Sequence, residues 1–280
     1  MFPRRKLPVM DQDIAKLEAL IAPVCNIVKQ AGHKIMDIYL GGFEVEEKKD
    51  RSPLTTADLA SHKLICEQLQ TLTPEIPVLS EESVSIPYNQ RSKWKRYWLI
   101  DPLDGTREFI KRNGEFTVNV ALVVGHTAHL GAVYIPVQDI CYFAAKGYGA
   151  FKQEQNKTAN RIRTRVSSPD SIPTICGSRS HTGTSLMTLL ARIGEHELIS
   201  VGSSIKTCLV AEGKADLYPR FGPTSEWDTA AAHCVVQEAG GSLVDTRFRP
   251  VRYNTKDSLL NPSFIVLGSM NDQWRNVLLQ

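Results

Sequence analysis

The residues of this sequence with the clearest capacity for chemistry form the segment Asp-Pro-Leu-Asp-Gly-Thr, which begins at Asp101. Pro102 has no backbone N–H and a restricted φ, so we expect the chain to turn here and to hold Asp101 and Asp104 on one bend. Two carboxylates, with the backbone carbonyl of Leu103 between them, are the kind of oxygen ligands that Mg²⁺ prefers. Asp-Pro and Asp-Gly pairs are also common in ordinary turns, and alone the segment fits a turn better than a metal site.

The residues after this bend could bind a phosphate group. Gly105, Thr106 and Arg107 are expected to open a short helix, whose first N–H groups have no partner within the helix. Helix amides of this kind bind phosphate oxygens. The segment therefore predicts metal ligands and phosphate ligands on adjacent residues.

Three further acidic residues lie next to predicted element boundaries. Glu81 follows a short apolar strand, where a carboxylate can project into a crevice. Asp58 and Asp228 fall at the starts of two predicted helices. Each also has a simpler interpretation, which is surface charge for Glu81, and helix capping or compensation of the helix dipole for Asp58 and Asp228.

The N-terminal half is predicted to position these residues with two helices and an antiparallel sheet. Apolar residues recur at helical spacing from Asp11 to about Leu40, and Pro23 is expected to kink or divide that helix. A second helix should begin near Thr55 and Thr56, either of which can cap it. Strands are predicted at Phe43–Lys48, Pro77–Leu79, Tyr97–Ile100, Thr117–Val124, His129–Ile135 and Ile140–Ala145.

The C-terminal half shows the alternation of an α/β unit. A polar stretch over 153–171 marks the expected boundary. We therefore predict an N-terminal α+β domain over 1–155 with most metal ligands, and a C-terminal α/β domain over 156–280 that completes the active site and substrate pocket. Strands are expected at Thr174–Gly177, Leu198–Val201, Asp216–Tyr218, Ser242–Val244 and Phe264–Leu267, with helices over 184–193, 204–213 and 226–239 and at the C-terminus.

Composition limits the function classes. The 280 residues are 42% hydrophobic and 22% charged, which is typical of a soluble globular protein. A net charge of +3 is too small to indicate nucleic-acid binding. No stretch has the length and apolar character of a membrane span, and the N-terminal region lacks the apolar core of a signal peptide. The six cysteines include no C-x-x-C pair and are expected to be reduced and buried.

In this order, the four acid-bearing segments resemble the inositol monophosphatase superfamily of lithium-sensitive phosphatases. Its pattern is an acid-bearing first loop, a Glu-Glu strand end, D-P-[LI]-D-G-T, and a distal W-D-x-A-A helix, and all four are present here between about residues 48 and 264. Within the superfamily, Arg107-Glu-Phe is more similar to the Lys-Glu-Phe of bacterial 3′(2′),5′-bisphosphate nucleotidases of sulfur assimilation than to the Thr-Asn-Phe typical of inositol phosphatases.

The resemblance implies an α/β fold, a layered αβαβα sandwich of the sugar-phosphatase type. It also implies two Mg²⁺ ions per site, and leaves a third open. Glu81, Asp101 and the carbonyl of Leu103 would bind one ion, and Asp101, Asp104 and Asp228 would bind the second. Two ions that share a carboxylate can stabilise both the attacking and the leaving oxygen of an in-line displacement.

The resemblance further implies roles for residues that contact water and substrate. The Thr106 hydroxyl, backed by Asp58 and Glu81, would orient the attacking water and take its proton, while the Gly105 and Thr106 amides hold phosphate oxygens. Lys206 and Arg220 would suit the phosphate that does not react, and ordinary polar roles are the alternative. The implied substrate-binding residues are Glu81, Leu103, Asp104, Gly105, Thr106, Ser178, Arg179, His181, Ser204, Lys206, Arg220 and Asp228.

The implied activity is Mg²⁺-dependent, Li⁺-sensitive hydrolysis of adenosine 3′,5′-bisphosphate to AMP and phosphate by in-line attack of an activated water. One alternative is an inositol-phosphate or related sugar-phosphate phosphatase of the same superfamily. An alternative of another class is a metabolite-binding protein without catalysis, against which the full set of metal-binding acids speaks. The implied partner is a small phosphorylated nucleotide and not a nucleic acid. The implied location is cytoplasmic, with loose peripheral association with the inner membrane and the oligomeric state left open.

Overall fold

The structure is a computed structural model that describes residues 9–47, 53–83, 86–166, 171–179 and 183–269, with residues 274, 277 and 278; within these ranges side chains are described from residue 14 onward, except at residue 47. The described helices are α1 (Val9–Gly41), α2 (Thr56–Leu72), α3 (Tyr88–Arg91), α4 (Thr106–Ile110), α5 (Thr184–Ile193), α6 (Ile205–Ala211) and α7 (Glu226–Glu238). The described strands are β1 (Val45–Glu47), β2 (Pro53–Thr55), β3 (Val78–Ser80), β4 (Arg96–Asp104), β5 (Thr117–Val124), β6 (Thr127–Ile135), β7 (Ile140–Ala145), β8 (Gly149–Glu154), β9 (Asn160–Ile162), β10 (Thr174–Ser178), β11 (Glu197–Val201), β12 (Leu217–Arg220), β13 (Ser242–Asp245) and β14 (Phe264–Leu267).

Helices α1 and α2 form where the apolar periodicity predicts them. Pro23 lies inside α1, which continues from Val9 to Gly41, so of the two expected effects the division of the helix is wrong and the kink stays a prediction. Val24 and Val28 are fully buried on the same face, and this packing maintains the helix although Pro23 cannot donate a backbone hydrogen bond. The predicted cap of α2 is confirmed, since Thr55 is its N-cap residue.

Seven strands form a large mixed sheet in the order β3-β4-β5-β6-β7-β8-β9. The neighbours are antiparallel from β4 to β9, whereas β3 and β4 are parallel. The predicted antiparallel sheet is therefore present with one parallel edge. Sequence patterns missed β8 and β9, and β9 lies inside the stretch from residue 153 onward that was predicted to be a polar linker.

The prediction of a turn at Pro102 is wrong. Strand β4 continues through Pro102 to Asp104, and its register with β5 shifts between Asp101 and Asp104. The ladder pairs Asp101 and Asp104 with residues of β5 two positions apart, so Pro102 lies in a bulge, where a missing N–H costs no ladder hydrogen bond. The chain turns instead at Gly105, whose φ is +95°.

Five strands form the second sheet in the order β11-β10-β12-β14-β13. Strand β10 is parallel to both β11 and β12, and β14 is antiparallel to both β12 and β13. Helix α5 connects β10 to β11, and α6 connects β11 to β12, as expected for parallel strands joined by crossovers.

The two sheets and the helices stack in five layers. Trp98 and Ile100 of β4 share a buried cluster with α1 and α2, while Tyr97 and Leu99 share another with α6 and α7. The second sheet packs its inner face into the cluster of α6 and α7, and its outer face, with Ile175, against α5. The order is therefore α1/α2, first sheet, α6/α7, second sheet, α5, which agrees with the predicted αβαβα sandwich.

The first sheet extends to Ile162, beyond the domain boundary predicted at 155/156, because β9 pairs with β8. The division into two domains stays a prediction. The predicted C-terminal helix lies largely outside the described residues. Among the described residues, no helix combines the length and the apolar composition of a membrane span.

Candidate active site

A cleft of about 340 Å³ opens between the two sheets, where β4 ends and where α4, α6 and α7 begin. It brings together residues from widely separated parts of the sequence. Eleven of the predicted site residues line it: Glu81, Asp101, Leu103, Asp104, Gly105, Thr106, Ser178, Ser204, Lys206, Arg220 and Asp228.

Three carboxylates meet in this cleft. Asp101, Asp104 and Asp228 each present an oxygen within 4.8 Å of the others. The bulge in β4 allows this arrangement, because it carries Asp101 and Asp104 to the same place from positions three residues apart. Asp228 arrives from the first turn of α7, on the other side of the cleft.

The electrostatics of the cluster fit a cation. Burial, together with the negative charges of Glu81 and its other acidic neighbours, raises the pKa of Asp101 well above its ordinary value. Burial and the charge of Asp104 likewise raise the pKa of Asp228. Buried carboxylates that repel one another in this way are stabilised by a divalent cation, and carboxylate oxygens are the ligands that a hard cation prefers. The residues present therefore fit a divalent metal ion.

Two of the acids also cap their own helices, as the simpler interpretation predicted. Asp58 Oδ2 accepts from the backbone N–H and the hydroxyl of Thr55, at 2.7 and 2.6 Å. Asp228 Oδ2 accepts from the N–H of Ser225 at 2.8 Å. Because each cap uses one carboxylate oxygen, the helix start fixes the direction of the other oxygen. Capping and a functional role are therefore compatible at both positions.

Thr106 lies between the second oxygen of Asp58 and the end of β4. Its hydroxyl is 3.2 Å from Asp58 Oδ1 and 3.3 Å from the carbonyl oxygen of Leu103. Gly105 must be glycine here, since its φ is positive and a Cβ would lie 3.0 Å from the carbonyl oxygen of Glu115. The tight turn at Gly105 thus brings the Thr106 hydroxyl back toward the bulge.

Asp104 is held by residues that sequence patterns did not single out for this purpose. Its Oδ2 accepts from the backbone N–H of Ser204 at 2.6 Å and from the Ser204 hydroxyl at 2.8 Å. The Thr117 hydroxyl and the Asn119 amide lie 3.4 Å from the same oxygen. Asn119 is a buried amide within an otherwise largely apolar strand, and this is the signal that could have identified it.

The two basic residues predicted to bind phosphate, Lys206 and Arg220, line the cleft in different ways. Lys206 is 4% exposed, and its Nζ donates to the carbonyl oxygens of Val201 and Ser203 at 3.0 and 2.7 Å. Burial lowers the pKa of Lys206 to about 8. Arg220 donates to the carbonyl of Pro223 at 3.0 Å, while its buried Nε has no hydrogen-bond partner among the described residues.

Two predicted substrate-binding residues are not part of the described cleft. Arg179 forms an ion pair with Glu115 at 2.6 Å and donates to the carbonyl of Ser200 at 2.7 Å. Glu115 also accepts from the N–H of Gly202 at 2.9 Å, so this residue, which lies just before β5, connects the segments that follow β10 and β11. His181 lies outside the described residues.

Comparison with known proteins identifies the family. The sequence model of the inositol monophosphatase family matches residues 16–276. The chain belongs to the inositol monophosphatase family. This is a metal-dependent family, in agreement with the acidic cluster in the cleft.

Several relatives resemble the chain over almost its whole length. A curated protein of Salmonella typhimurium named 3′(2′),5′-bisphosphate nucleotidase CysQ is 49% identical over 88% of this chain and 99% of the relative. A protein of the same name from Escherichia coli K12 is 48% identical with the same coverage.

Solved structures agree with the family and with the fold. CysQ from Bacteroides thetaiotaomicron, described as a bacterial member of the inositol monophosphatase family, superposes with a TM-score of 0.74 and 42% identity, and the match covers 87% of this chain and 95% of that one. An inositol monophosphatase from Anabaena, at 20% identity and a TM-score of 0.73, shows the same fold over 95% of this chain and 97% of its own. The predicted family and the layered fold are confirmed.

Proposed function

We propose that this protein is a 3′(2′),5′-bisphosphate nucleotidase that hydrolyses adenosine 3′,5′-bisphosphate to AMP and phosphate. The observation that carries the proposal is the identity of 48–49% to curated nucleotidases of that name over nearly the full length of both chains. The acidic cluster supports it, because the cluster fits a divalent cation. Hydrolysis of a phosphate ester needs such positive charge near the developing negative charge of the transition state.

The proposal includes two Mg²⁺ ions in the cleft. Glu81, Asp101 and the Leu103 carbonyl would hold one ion, and Asp101, Asp104 and Asp228 would hold the other. When bound, the ions would act as Lewis acids on the phosphate oxygens. The number of ions and the choice of Mg²⁺ are part of the proposal, whereas a binding place for a divalent cation follows from the cluster itself.

The protein's own residues would position and deprotonate the attacking water. The Thr106 hydroxyl can donate its proton to Asp58 Oδ1, 3.2 Å away, and its oxygen can then accept a hydrogen bond from water. Because Asp58 Oδ2 is fixed by the helix cap, Asp58 keeps its orientation during this exchange. Glu81 lines the same cleft and would complete the group that receives the proton.

The remaining part of the cleft would hold the nucleotide. Arg220 has an unpartnered buried Nε within the described structure, which suits a phosphate that does not react. Lys206 would act on that phosphate mainly through its charge, since its Nζ already donates to two backbone carbonyls. Ser178, Ser204, Gly105 and the unplaced His181 stay predictions as substrate ligands, and so does Arg179. The cytoplasmic location also stays a prediction.

A panel of phosphate-release assays tests the proposed substrate. Adenosine 3′,5′-bisphosphate, inositol 1-phosphate and fructose 1,6-bisphosphate would be compared with and without MgCl₂, and with LiCl. We expect the bisphosphate nucleotide to be hydrolysed with the highest kcat/KM, only with Mg²⁺, and with inhibition by Li⁺. A higher kcat/KM for inositol phosphate or fructose bisphosphate would refute the substrate and leave the phosphatase class intact.

The Asp104→Asn variant tests the catalytic use of the cluster. Removing one negative charge from the cation site should abolish measurable turnover. The fold should be retained, because an amide oxygen can still accept from the N–H of Ser204. Turnover near that of the wild type, in a folded variant, would contradict the two-ion scheme.

A further inference from the structure

One face of α2 contacts all the segments of the first sheet that carry the acids. Asp58 reaches Thr106 at the start of α4, as described above. One turn further along α2, Ser61 reaches the bulge of β4, and His62 reaches the end of β3. A rigid helix that touches several ligand-bearing segments can fix their mutual positions.

The contact of Ser61 lies directly behind the bulge. Ser61 is fully buried, and its hydroxyl donates to the carbonyl oxygen of Pro102 at 2.7 Å. Pro102 and Leu103 have no paired residue in the ladder between β4 and β5, which pairs Asp101 and then Asp104. Ser61 therefore supplies the hydrogen bond that this carbonyl does not receive from the ladder.

This bond sets the direction of the next carbonyl. The Pro102 carbonyl is directed at α2, and the Leu103 carbonyl points to a different partner. The Leu103 oxygen indeed lies 3.3 Å from the Thr106 hydroxyl, in the cleft. The N–H of Leu103 donates to Asp101 Oδ1 at 3.1 Å, which connects the same peptide to the acid.

The contact of His62 lies behind Glu81. His62 Nδ1 is 2.8 Å from the Ser80 hydroxyl oxygen, which also accepts from the N–H of Glu82 at 3.3 Å. The hydroxyl proton of Ser80 is then free to be donated to Nδ1. These bonds hold the residues on both sides of Glu81, where the strand ends and the chain leaves the sheet.

We propose that Ser61 and His62 are positioning residues for metal binding, Ser61 for the Leu103 carbonyl and Asp101, and His62 for Glu81. Neither side chain lines the cleft, so each acts through the backbone of its partner segment. The inference rests on the proposed function, because it assigns the first cation to Glu81, Asp101 and Leu103. It predicts weaker metal binding without direct loss of a ligand.

Calorimetric titration of the substrate-free protein with MgCl₂ tests the proposal. Ser61→Ala should raise the dissociation constant for Mg²⁺ by about tenfold, as loss of a group that orients a metal ligand typically does. Ser61→Cys, which keeps the volume and weakens the donor, should act in the same direction and covers the case in which Ser61→Ala fails to fold. In assays, the Mg²⁺ concentration for half-maximal rate should rise about tenfold, while kcat at saturating Mg²⁺ stays within about threefold.

Thr73→Ala is the matched control. Thr73 lies at the other end of α2, donates to the Leu69 carbonyl at 3.2 Å and accepts from Trp98 Nε1 at 2.8 Å. Its loss should lower the melting temperature of the protein and leave the Mg²⁺ dissociation constant within twofold. An equal rise in both variants would show a general effect of destabilising α2 and would overturn the proposal.

Variants of His62 provide the second, independent arm. In His62→Phe the new ring fills the space but has no nitrogen, so the Mg²⁺ dissociation constant should rise. In His62→Asn the amide can replace Nδ1, so the dissociation constant should stay near the wild-type value. Unchanged Mg²⁺ binding in both Ser61→Ala and His62→Phe would overturn the inference alone. If the wild-type protein did not bind Mg²⁺ at all, the proposed function would fail, and the inference with it.

Discussion

The hydroxyl of Ser204 connects the acids across the cleft, and its removal has a predictable cost. Ser204 Oγ lies 2.8 Å from Asp104 Oδ2 and 2.7 Å from the carbonyl oxygen of Asp228, and it accepts from Asn119 Nδ2 at 2.9 Å. Ser204→Ala leaves the backbone N–H bond to Asp104 but removes the acceptor of the buried Asn119 amide and the one hydroxyl proton that Asp104 and the Asp228 carbonyl share. A hydrogen bond to a charged group contributes about 1.5–3 kcal/mol, so we expect the free energy of unfolding to fall by about 2 kcal/mol.

Loss of the Ser204 hydroxyl should also lower catalytic activity, because Asp104 and Asp228 are proposed to hold one cation together. If poorer positioning of these acids removes about 1.4–2.8 kcal/mol of transition-state stabilisation, kcat/KM falls by about 10–100-fold. Urea denaturation without metal and phosphate release at saturating Mg²⁺ measure the two effects. Ser203→Ala is the control, since the Ser203 hydroxyl has no hydrogen-bond partner within the described structure. Equal results for Ser203→Ala and Ser204→Ala would refute this reasoning.

Other predictions concern stability and the proposed proton path. Burial lowers the pKa of His233 from 6.5 to about 4, so the unfolded state binds the proton more readily, and the stability present above pH 6.5 is lost as the pH falls toward 4. His233→Gln should remove a loss of about 3 kcal/mol in the free energy of unfolding over this pH range, measured by urea denaturation of both proteins at pH 7 and pH 4. An equal fall in the free energy of unfolding in both proteins would show that His233 is not the cause. In Gly131→Ala the new Cβ would lie 2.2 Å from the carbonyl oxygen of Ala231 in α7, so the helix must shift and the free energy of unfolding should fall by about 2 kcal/mol or more. In Gly41→Ala the new Cβ meets no atom of the described residues within 4 Å, so this variant should be nearly neutral, and similar losses in both variants would contradict this close packing. Thr106→Val should lower kcat by at least about 100-fold with little change in melting temperature, and a kcat within threefold of wild type would exclude the proposed proton path.

The positions of the acids could be predicted because the signals are local. A helix cap relates residues three apart, so Thr55 with Asp58 and Ser225 with Asp228 mark helix starts within a few residues of sequence. The layered fold itself was implied by resemblance, and the hydrophobic pattern alone predicted most strands of each half, without β8 and β9 and without the sheet order.

The path through Pro102 could not be predicted from local rules. Proline usually ends or bends a strand, but here β5 pairs with β4 on both sides of the bulge. This pairing is a tertiary contact, and it overrides the local turn preference of Asp-Pro. The difference matters for function, since the bulge and not a turn brings Asp101 and Asp104 together.

The residues that hold the ligands were also beyond sequence reasoning. Ser61 meets Pro102, and Asn119 meets Ser204, only after α2 and α6 have packed on their respective faces of the first sheet. Arg179, a substrate ligand implied by the resemblance, has Glu115 as its partner in the fold, and this contact between distant residues could not be read from the sequence. Its role toward the substrate stays a prediction.

The central claim is that Asp101, Asp104 and Asp228 bind the metal ions that a bisphosphate nucleotidase needs. Anomalous diffraction from crystals grown with MnCl₂ tests this most directly, because Mn²⁺ occupies the same oxygen-rich sites as Mg²⁺ and is located without reference to activity. We predict two anomalous peaks in the cleft, both within coordination distance of the Asp101 carboxylate. Peaks only elsewhere, with no density beside Asp101 at millimolar Mn²⁺, would contradict the account.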